Sequence, residues 1–505
     1  MRLAVILLFA AATLIPTSWT QAQASPVTTD ALGAGQVESI DAFVSSEMAR
    51  QHIPGLAIGI YRRGHILLSK GYGLANVELS VPVHPETVFQ SGSVGKQFVA
   101  AAIMMLVEER KLSLDDSIAK YFADSPSSWS PIRIKNLLSH TSGLAEYESD
   151  ERTGPQGDFY LRRDFTDDEL LKKIEALPIE WPVGEKWDYR NTNYLLLGLV
   201  IQKASGKPYA EYLDERIFKP LGMTSTRLIS ERDIIPNRSS GYELDAGKIK
   251  NQQWVSPTFN RTADGALYFN VLDLAKWDEA LYTTRLLTQS SLDRMWTVYR
   301  LDDGRPNWAG YGFAWFIDQQ NGHRVLSHGG AWQGFTCQIS RYPDDSLSVV
   351  VLTNLDSDHS DPEVIAQVVA GLVDPPLMPQ KFAPIKDSEP EIASLVRANL
   401  DRLIAGEDIR PTPAAELLAG LPFEQRSALI PEEPLRTLQM RLATTWPGGS
   451  LTLVKRARLS DATQSQREMS VYRLAKDNEA LLILFVPGPN GSISALGVMG
   501  DRPYE

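Results

Sequence analysis

Phe89-Gln90-Ser91-Gly92-Ser93-Val94-Gly95-Lys96-Gln97-Phe98 opens the stretch whose reading decides the fold. From Ser93 to about Glu109, apolar residues recur at three- and four-residue spacing (Phe98, Ala101, Ala102, Met105), the period of a helix. Ser93 and Lys96 stand three apart, so both side chains fall on one face, one turn from each other. A serine hydroxyl is a weak nucleophile that needs a base within reach. A lysine desolvated beside other donors can be driven toward its neutral, basic form. The positive end of the helix, with its free N–H groups, favours an oxyanion nearby. The spacing alone is weak evidence, because Ser117-Ile118-Ala119-Lys120 repeats it in what reads as a surface turn.

Upstream, Leu56–Tyr61 and His65–Ser69 are short apolar runs joined by Arg62-Arg63-Gly64, the pattern of a β-hairpin. Residues 110–260 are dominated by helical patterns such as Tyr194 to Ala204, which ends at Gly206. Strand character returns at Gly312–Ile317, Thr336–Tyr342 and Ser346–Thr353. Pro362–Leu372 then reads as a helix, capped by Asp361 with Pro362 in its first turn. Strands, a helical middle and strands again predict one sheet built from both ends of the unit around a helical insert. Five prolines between Pro375 and Pro390 suit a linker over 376–390. Beyond it, a helix at Glu391–Ile404 and strand-like runs at Ser450–Lys455, Ser470–Leu474, Ala480–Val486 and Ser492–Val498 predict a small α+β domain over 391–505.

Two later patterns give the Ser-x-x-Lys company. Tyr189-Arg190-Asn191 precedes a helix. A phenol can relay a proton between serine and leaving group, and an amide can bind a substrate carbonyl or hold the lysine. Tyr268-Phe269-Asn270 is a decoy in another context. His328-Gly329-Gly330 reads as opening the strand that carries Cys337, where glycines let substrate approach the backbone. The Ala331 N–H is the expected second oxyanion donor.

With these elements go Gly71-Tyr72-Gly73-Leu74-Ala75-Asn76, Lys111-Leu112-Ser113-Leu114-Asp115-Asp116, Leu137-Leu138-Ser139-His140-Thr141-Ser142-Gly143-Leu144, Pro220-Leu221-Gly222-Met223 and Tyr311-Gly312-Phe313-Ala314-Trp315. In this order, over about residues 37–375, the chain resembles the serine β-lactamase and penicillin-binding-protein superfamily. It is most like the class C-like branch of esterases, D-amino-acid peptidases and β-lactamases. The resemblance implies an α/β (α+β) β-lactamase/transpeptidase-like fold over 25–375, an antiparallel sheet flanked by helices. It further implies Ser93 as nucleophile, Lys96 and Tyr189 as acid/base partners, and Asn191, His328, Gly330 and Ala331 on the substrate side. An acyl-enzyme hydrolysed by water follows, with no cofactor and no metal. The C-terminal module faintly resembles nuclear-transport-factor-like accessory domains.

Two departures matter. Many β-lactamases have Lys-Thr-Gly where this chain has His328-Gly329-Gly330, so a fixed charge for a substrate carboxylate is replaced by an imidazole mostly neutral at pH 7. That favours ester or peptide substrates over β-lactams. Arg190 fills a position where the family often has a small residue; its guanidinium could recover anion binding, but the base expectation is that it points to solvent, as most arginines do. His140 is expected to be structural, capping a helix and placing Thr141. Trp308, Tyr311, Trp315 and Trp332 fit cleft walls and core packing equally well. The lone cysteine, Cys337, reads as a buried strand residue.

The 505 residues, 43% apolar and 22% charged, exclude collagen, coiled coil and disorder. The net charge of −12 lies almost wholly in residues 25–380 and argues against nucleic acid or anionic membranes as partners. Residues 1–24 read as a secretory signal: Met1-Arg2, an apolar run from Leu3 to Ile15, and Ala22-Gln23-Ala24 as cleavage site. The run is shorter than the roughly 20 residues a spanning helix needs. A mature chain starting near Ser25, exported to the periplasm or beyond and without a stable membrane anchor, is therefore expected. The leading expectation is a hydrolase of small esters, amides or D-amino-acid peptides. A β-lactamase or D-alanyl-D-alanine carboxypeptidase is the enzyme alternative, and a non-catalytic binder of cell-wall fragments the alternative of another class.

Overall fold

In the computed structural model, residues 31–356, 360–379, 384–411, 435–460, 466–476, 479–488 and 492–500 are described, with the single residues 413, 421 and 429. The secretory signal expected over 1–24 lies outside them. Among the described residues, no helix is long and apolar enough to cross a membrane.

The main sheet has seven antiparallel strands. Its first three are β1 (Gly55–Arg62), β2 (His65–Asn76) and β3 (Val81–Pro82). Five short strands follow in the middle of the chain, β4 (Phe89–Gln90), β5 (Arg227–Leu228), β6 (Tyr242–Asp245), β7 (Lys248–Asn251) and β8 (Leu267–Phe269), as a three-stranded sheet β4-β8-β5 and a pair β6-β7. The sheet is completed by β9 (Phe316–Gln320), β10 (His323–Trp332), β11 (Phe335–Tyr342) and β12 (Leu347–Thr353), in the order β3-β2-β1-β12-β11-β10-β9. The seam is β1 against β12, with Leu56 opposite Thr353 and Arg62 opposite Leu347. One sheet is thus built from both ends of the unit. Both strands are buried on both faces, which is why they read as unbroken apolar runs rather than alternating ones. The hairpin turn falls at Arg63 and Gly64, both at positive φ.

The helix Lys96–Glu108 runs through the core and is buried on every side from Lys96 to Leu106. A helix apolar all round has to be interior. Ala100-Ala101-Ala102 keeps its girth small enough for neighbours on all sides, and Phe98 meets Trp277 at 4.6 Å and Phe218 at 5.4 Å. The helix Asn191–Ser205 packs against it and ends at Gly206 in the left-handed region. Asp361 caps the helix Pro362–Val373, its side chain accepting from the Val364 N–H at 3.2 Å.

Two expectations about the third element are corrected. Gly312–Trp315 is a turn, closed by the Gly312 N–H on the Trp315 carbonyl at 2.8 Å with Ala314 at φ +64°, so strand begins only at Phe316. His328-Gly329-Gly330 lies inside β10, and Cys337 sits on the next strand, β11, opposite Gly330. Apolar runs show that strands exist, but they do not show where a strand bends back.

The C-terminal β domain is a four-stranded antiparallel meander: β13 (Ser450–Ser460), β14 (Gln466–Lys476), β15 (Glu479–Pro487) and β16 (Ile493–Gly500). The helices Pro390–Ile404 and Leu435–Thr445 pack on one face through Val396, Leu400, Leu438 and Leu442. The proline-dense stretch before it is tied at both ends. Asn321 donates to the Pro376 carbonyl, and Arg456 pairs with Asp387 and Glu389.

Candidate active site

Three backbone segments from distant parts of the chain cross at the start of the central helix, and each crosses at a glycine. A Cβ on Gly92, which is at φ +44°, would lie 2.4 Å from the Ala331 nitrogen. One on Gly330 would lie 2.2 Å from the Ser91 carbonyl oxygen and 3.0 Å from the Ser93 nitrogen, and one on Gly265 would lie 2.9 Å from Gly92. Only glycine allows this approach. It brings β10 across the turn that carries Ser93. The Cys337 thiol, which burial pushes up, donates to the Ser91 carbonyl at 2.9 Å and helps lock that crossing.

Lys96 is completely buried. Its ammonium nitrogen donates to Ser93 Oγ at 2.9 Å, to Asn191 Oδ1 at 2.8 Å and to the Asp264 carbonyl oxygen. These three partners match the three positions of an amine, so the nitrogen is fixed with one corner on the Ser93 hydroxyl. Both ends of the Asn191 carboxamide have protein partners, since its Nδ2 donates to Glu148 Oε2 at 2.5 Å. The decoys behave as decoys. Lys120 is exposed and pairs with Asp116, and Asn270 caps the helix Val271–Ala280.

Tyr189 stands beside Lys96, whose Nζ lies 5.1 Å from its ring centroid. Its hydroxyl is buried without a hydrogen bond of good geometry. Burial raises its pKa, while Lys96 and Ser93 favour the ionised form. The segment is held by His140, which takes the left-handed position after the helix Ile134–Leu138. That site is usually filled by glycine. The His140 carbonyl accepts from the Asp188 N–H at 3.0 Å and its Nδ1 from the Arg190 N–H at 3.2 Å, while its ring lies 4.2 Å from that of Tyr189. His140 thus positions the tyrosine segment as well as ending a helix.

A family model described as Beta-lactamase matches residues 40–373. The chain belongs to the Beta-lactamase family. Among curated relatives, Penicillin-binding protein 4* of Bacillus subtilis is 28% identical over 313 residues, 58% of this chain and 67% of the relative. Protein flp of Staphylococcus aureus is 28% identical over 333 residues, 64% of each chain. Among solved structures, an octameric penicillin-binding protein homologue from Pyrococcus abyssi superposes with a TM-score of 0.60 at 23% identity, covering 92% of this chain and 98% of its own. D-amino acid amidase from Ochrobactrum anthropi SV3 superposes with a TM-score of 0.56 at 22% identity, covering 68% of this chain and 98% of its own. At these identities the superpositions establish the fold.

Against the pattern of the Beta-lactamase family, the third element holds a surprise. His328 does not face the cleft. Its ring is buried, with Nδ1 donating to the Gly329 carbonyl at 2.6 Å and Nε2 accepting from the Tyr311 hydroxyl at 2.9 Å. Burial takes its pKa down to about 3, so the imidazole is neutral. Arg190 is a correction. Its guanidinium turns to neither solvent nor substrate but pairs with Glu180 and Asp188, each at 2.9 Å, beside the ring of Trp181. The four aromatics divide. Trp332 lines the cleft, Tyr311 and Trp315 are core, and Trp308 packs against the C-terminal domain.

The cleft over Ser93 measures about 270 Å³. Its lining combines Gly92, Ser93 and Ala331 with the apolar Phe259 and Trp332 and the polar Asn191, Glu148 and Asp264. Sequence reading missed the two acids, which come from separate loops with no motif spacing between them. The Tyr147 hydroxyl lies 2.8 Å from Glu148 Oε1 and 2.5 Å from Asp264 Oδ2. A phenol has one proton to donate, so one of these carboxyls must return one. Burial, then Asp264 and Glu146, hold the Glu148 carboxyl well above the usual range, which assigns the proton to it.

Proposed function

We propose that this chain is an exported serine hydrolase that cleaves small esters, amides or D-amino-acid peptides through an acyl-enzyme on Ser93. The observation that carries this reading is the fixed contact of Lys96 Nζ with Ser93 Oγ at 2.9 Å, with Asn191 and Asp264 taking its other two corners. In its neutral form Lys96 donates to those two acceptors and turns its lone pair to the serine O–H. As Ser93 Oγ bonds to the substrate carbonyl carbon, its proton passes to Lys96. Tyr189 hands a proton on to the leaving alcohol or amine as the C–O or C–N bond breaks. Water then attacks the acyl carbon, giving up a proton along the same path, and releases the acid and Ser93. The Ser93 and Ala331 N–H groups are the proposed oxyanion donors, with Gly330 allowing the approach. Asn191 contacts substrate only if one of its partners yields, and the buried His328 acts from behind the cleft. The apolar run and small-residue site in residues 1–24 support export.

Mass spectrometry after a fluorophosphonate or penicillin probe tests the reading: one adduct on Ser93 is expected, and none in folded protein overturns it. Relatives described as penicillin-binding proteins favour the second reading, a β-lactamase or carboxypeptidase. Nitrocefin turnover faster than p-nitrophenyl ester turnover would establish that one instead. Biological activity surviving Ser93→Ala would leave a binding protein.

A further inference from the structure

Tyr189 is unusual among the site residues in how it is held. Ser93, Lys96 and Asn191 are placed by hydrogen bonds, whereas the Tyr189 hydroxyl has none of good geometry. Its ring is placed by packing against His140 at 4.2 Å, His328 at 6.1 Å, Tyr311 at 6.2 Å and Trp187 at 6.4 Å. Trp187 is in the same position, its buried indole N–H lacking a partner. Its orientation depends on the rings around it, and one of these is Trp308, edge-on at 5.0 Å.

Trp308 faces two ways. On one side it joins the small cluster of Trp187, Ala309 and Tyr311 beneath Tyr189. On the other it packs against the apolar cluster of the C-terminal domain to which Val454, Met469 and Leu484 of β13, β14 and β15 belong. Its base is rigid. The buried Asn307 side chain donates to the Tyr299 and Tyr311 carbonyls at 2.8 and 2.7 Å and accepts from the Tyr311 N–H at 2.9 Å. The contact with the C-terminal sheet therefore bears on the ring stack under Tyr189 rather than on a loose loop.

We infer that the C-terminal β-sheet is a positioning element of the hydrolase site, holding Trp187 and through it Tyr189 by way of Trp308. This rests on the serine-hydrolase reading above. A ring held chiefly by packing shifts when one wall of its cage is removed, and a shift of about 1 Å in an acid/base group costs up to about 100-fold in rate.

The test uses the full chain with Trp308→Ala and Trp308→Phe, assayed on p-nitrophenyl acetate across pH, with Ser93 counted by fluorophosphonate titration. Trp308→Ala is expected to lower kcat per titrated site about tenfold or more. KM should stay near its original value and the pH profile of kcat should move. Trp308→Phe, which keeps a ring between the two clusters, is expected to restore most of both. A Trp308→Ala protein with kcat per site and pH profile unchanged overturns the inference. So does a loss of activity matched by a loss of titratable serine, which marks a merely structural role. An unaltered protein that neither turns over nor labels at Ser93 removes the hydrolase reading and this inference together. An active one with an indifferent Trp308 removes this inference alone.

Discussion

Two sides of the same serine are built by opposite means. On one, Lys96, Asn191, Glu148, Tyr147 and Asp264 form a polar chain in which each link is a hydrogen bond. On the other, Tyr189, His140, His328, Tyr311 and Trp187 form a stack of rings, in which Tyr189 Oη, His140 Nε2 and Trp187 Nε1 are buried without a hydrogen bond of good geometry. The first side resists displacement because losing any link strands a buried polar group, which costs about 1–3 kcal/mol. The second side keeps its histidines neutral by burial and holds the rings of Tyr189 and Trp187 chiefly by contact. Damage should therefore show as a large loss of turnover on the polar side and as altered stability, pH response and a smaller loss of turnover on the other.

The largest effect is expected from Lys96→Ala, which removes the proposed base and leaves Asn191 Oδ1 and the Asp264 carbonyl without their donor. Ester turnover should fall about 10³-fold or more, measured as kcat/KM. A loss below about tenfold would mean that the polar side does not carry the proton. Next comes His328→Lys, which installs the lysine of the Lys-Thr-Gly pattern. Here it places a charge where burial keeps an imidazole neutral, so about 3 kcal/mol of stability should be lost. Thermal unfolding checks this. Unchanged stability with a gain in nitrocefin turnover would show that the position faces the cleft after all.

The acid limb of stability sharpens the contrast. The folded pKa of His328, about 3, lies below that of an unfolded histidine, and His140 is also lowered by burial. Their contribution is thus complete above about pH 6.5 and is lost progressively as pH falls toward 3. At pH 5 His328 alone should cost about 2 kcal/mol. Melting curves between pH 4 and 8 should show His328→Gln flattening this slope, and an unaltered slope would place the titration elsewhere. Smallest is Tyr311→Phe, which removes the hydroxyl donated to His328 Nε2, at about 1 kcal/mol. A loss in turnover without a loss in stability would instead assign Tyr311 to the chemistry.

Much of this was legible before the structure. Ser93 and Lys96 share a helix turn, and local spacing is what sequence reports well. The helix from Pro362 with its Asp361 cap, and the strands on either side of the insert, were readable for the same reason. The register of β10 was not, because His328-Gly329-Gly330 looks like a strand opening until the Gly330–Cys337 pairing is seen. Glu148 and Asp264 come together only in space, on the Tyr147 hydroxyl. Arg190 was misjudged because its partners, Glu180 and Asp188, line up only once the turn at Trp181–Glu185 has formed.

The crossing of Gly92, Gly265 and Gly330 also has a consequence in time. The three backbones that surround Ser93 are far apart in the chain, and the strand beside the third is sealed only when β12 pairs with β1. Contacts of such long sequence separation form late, after the cost of closing large loops has been met. A ribosome that has made the first 300 residues holds Ser93, Lys96, Tyr189 and Asn191 but no assembled cleft around them. On the acyl-enzyme reading proposed above, labelling of Ser93 is expected only once the hydrolase unit has been made and folded, and would serve as its clock.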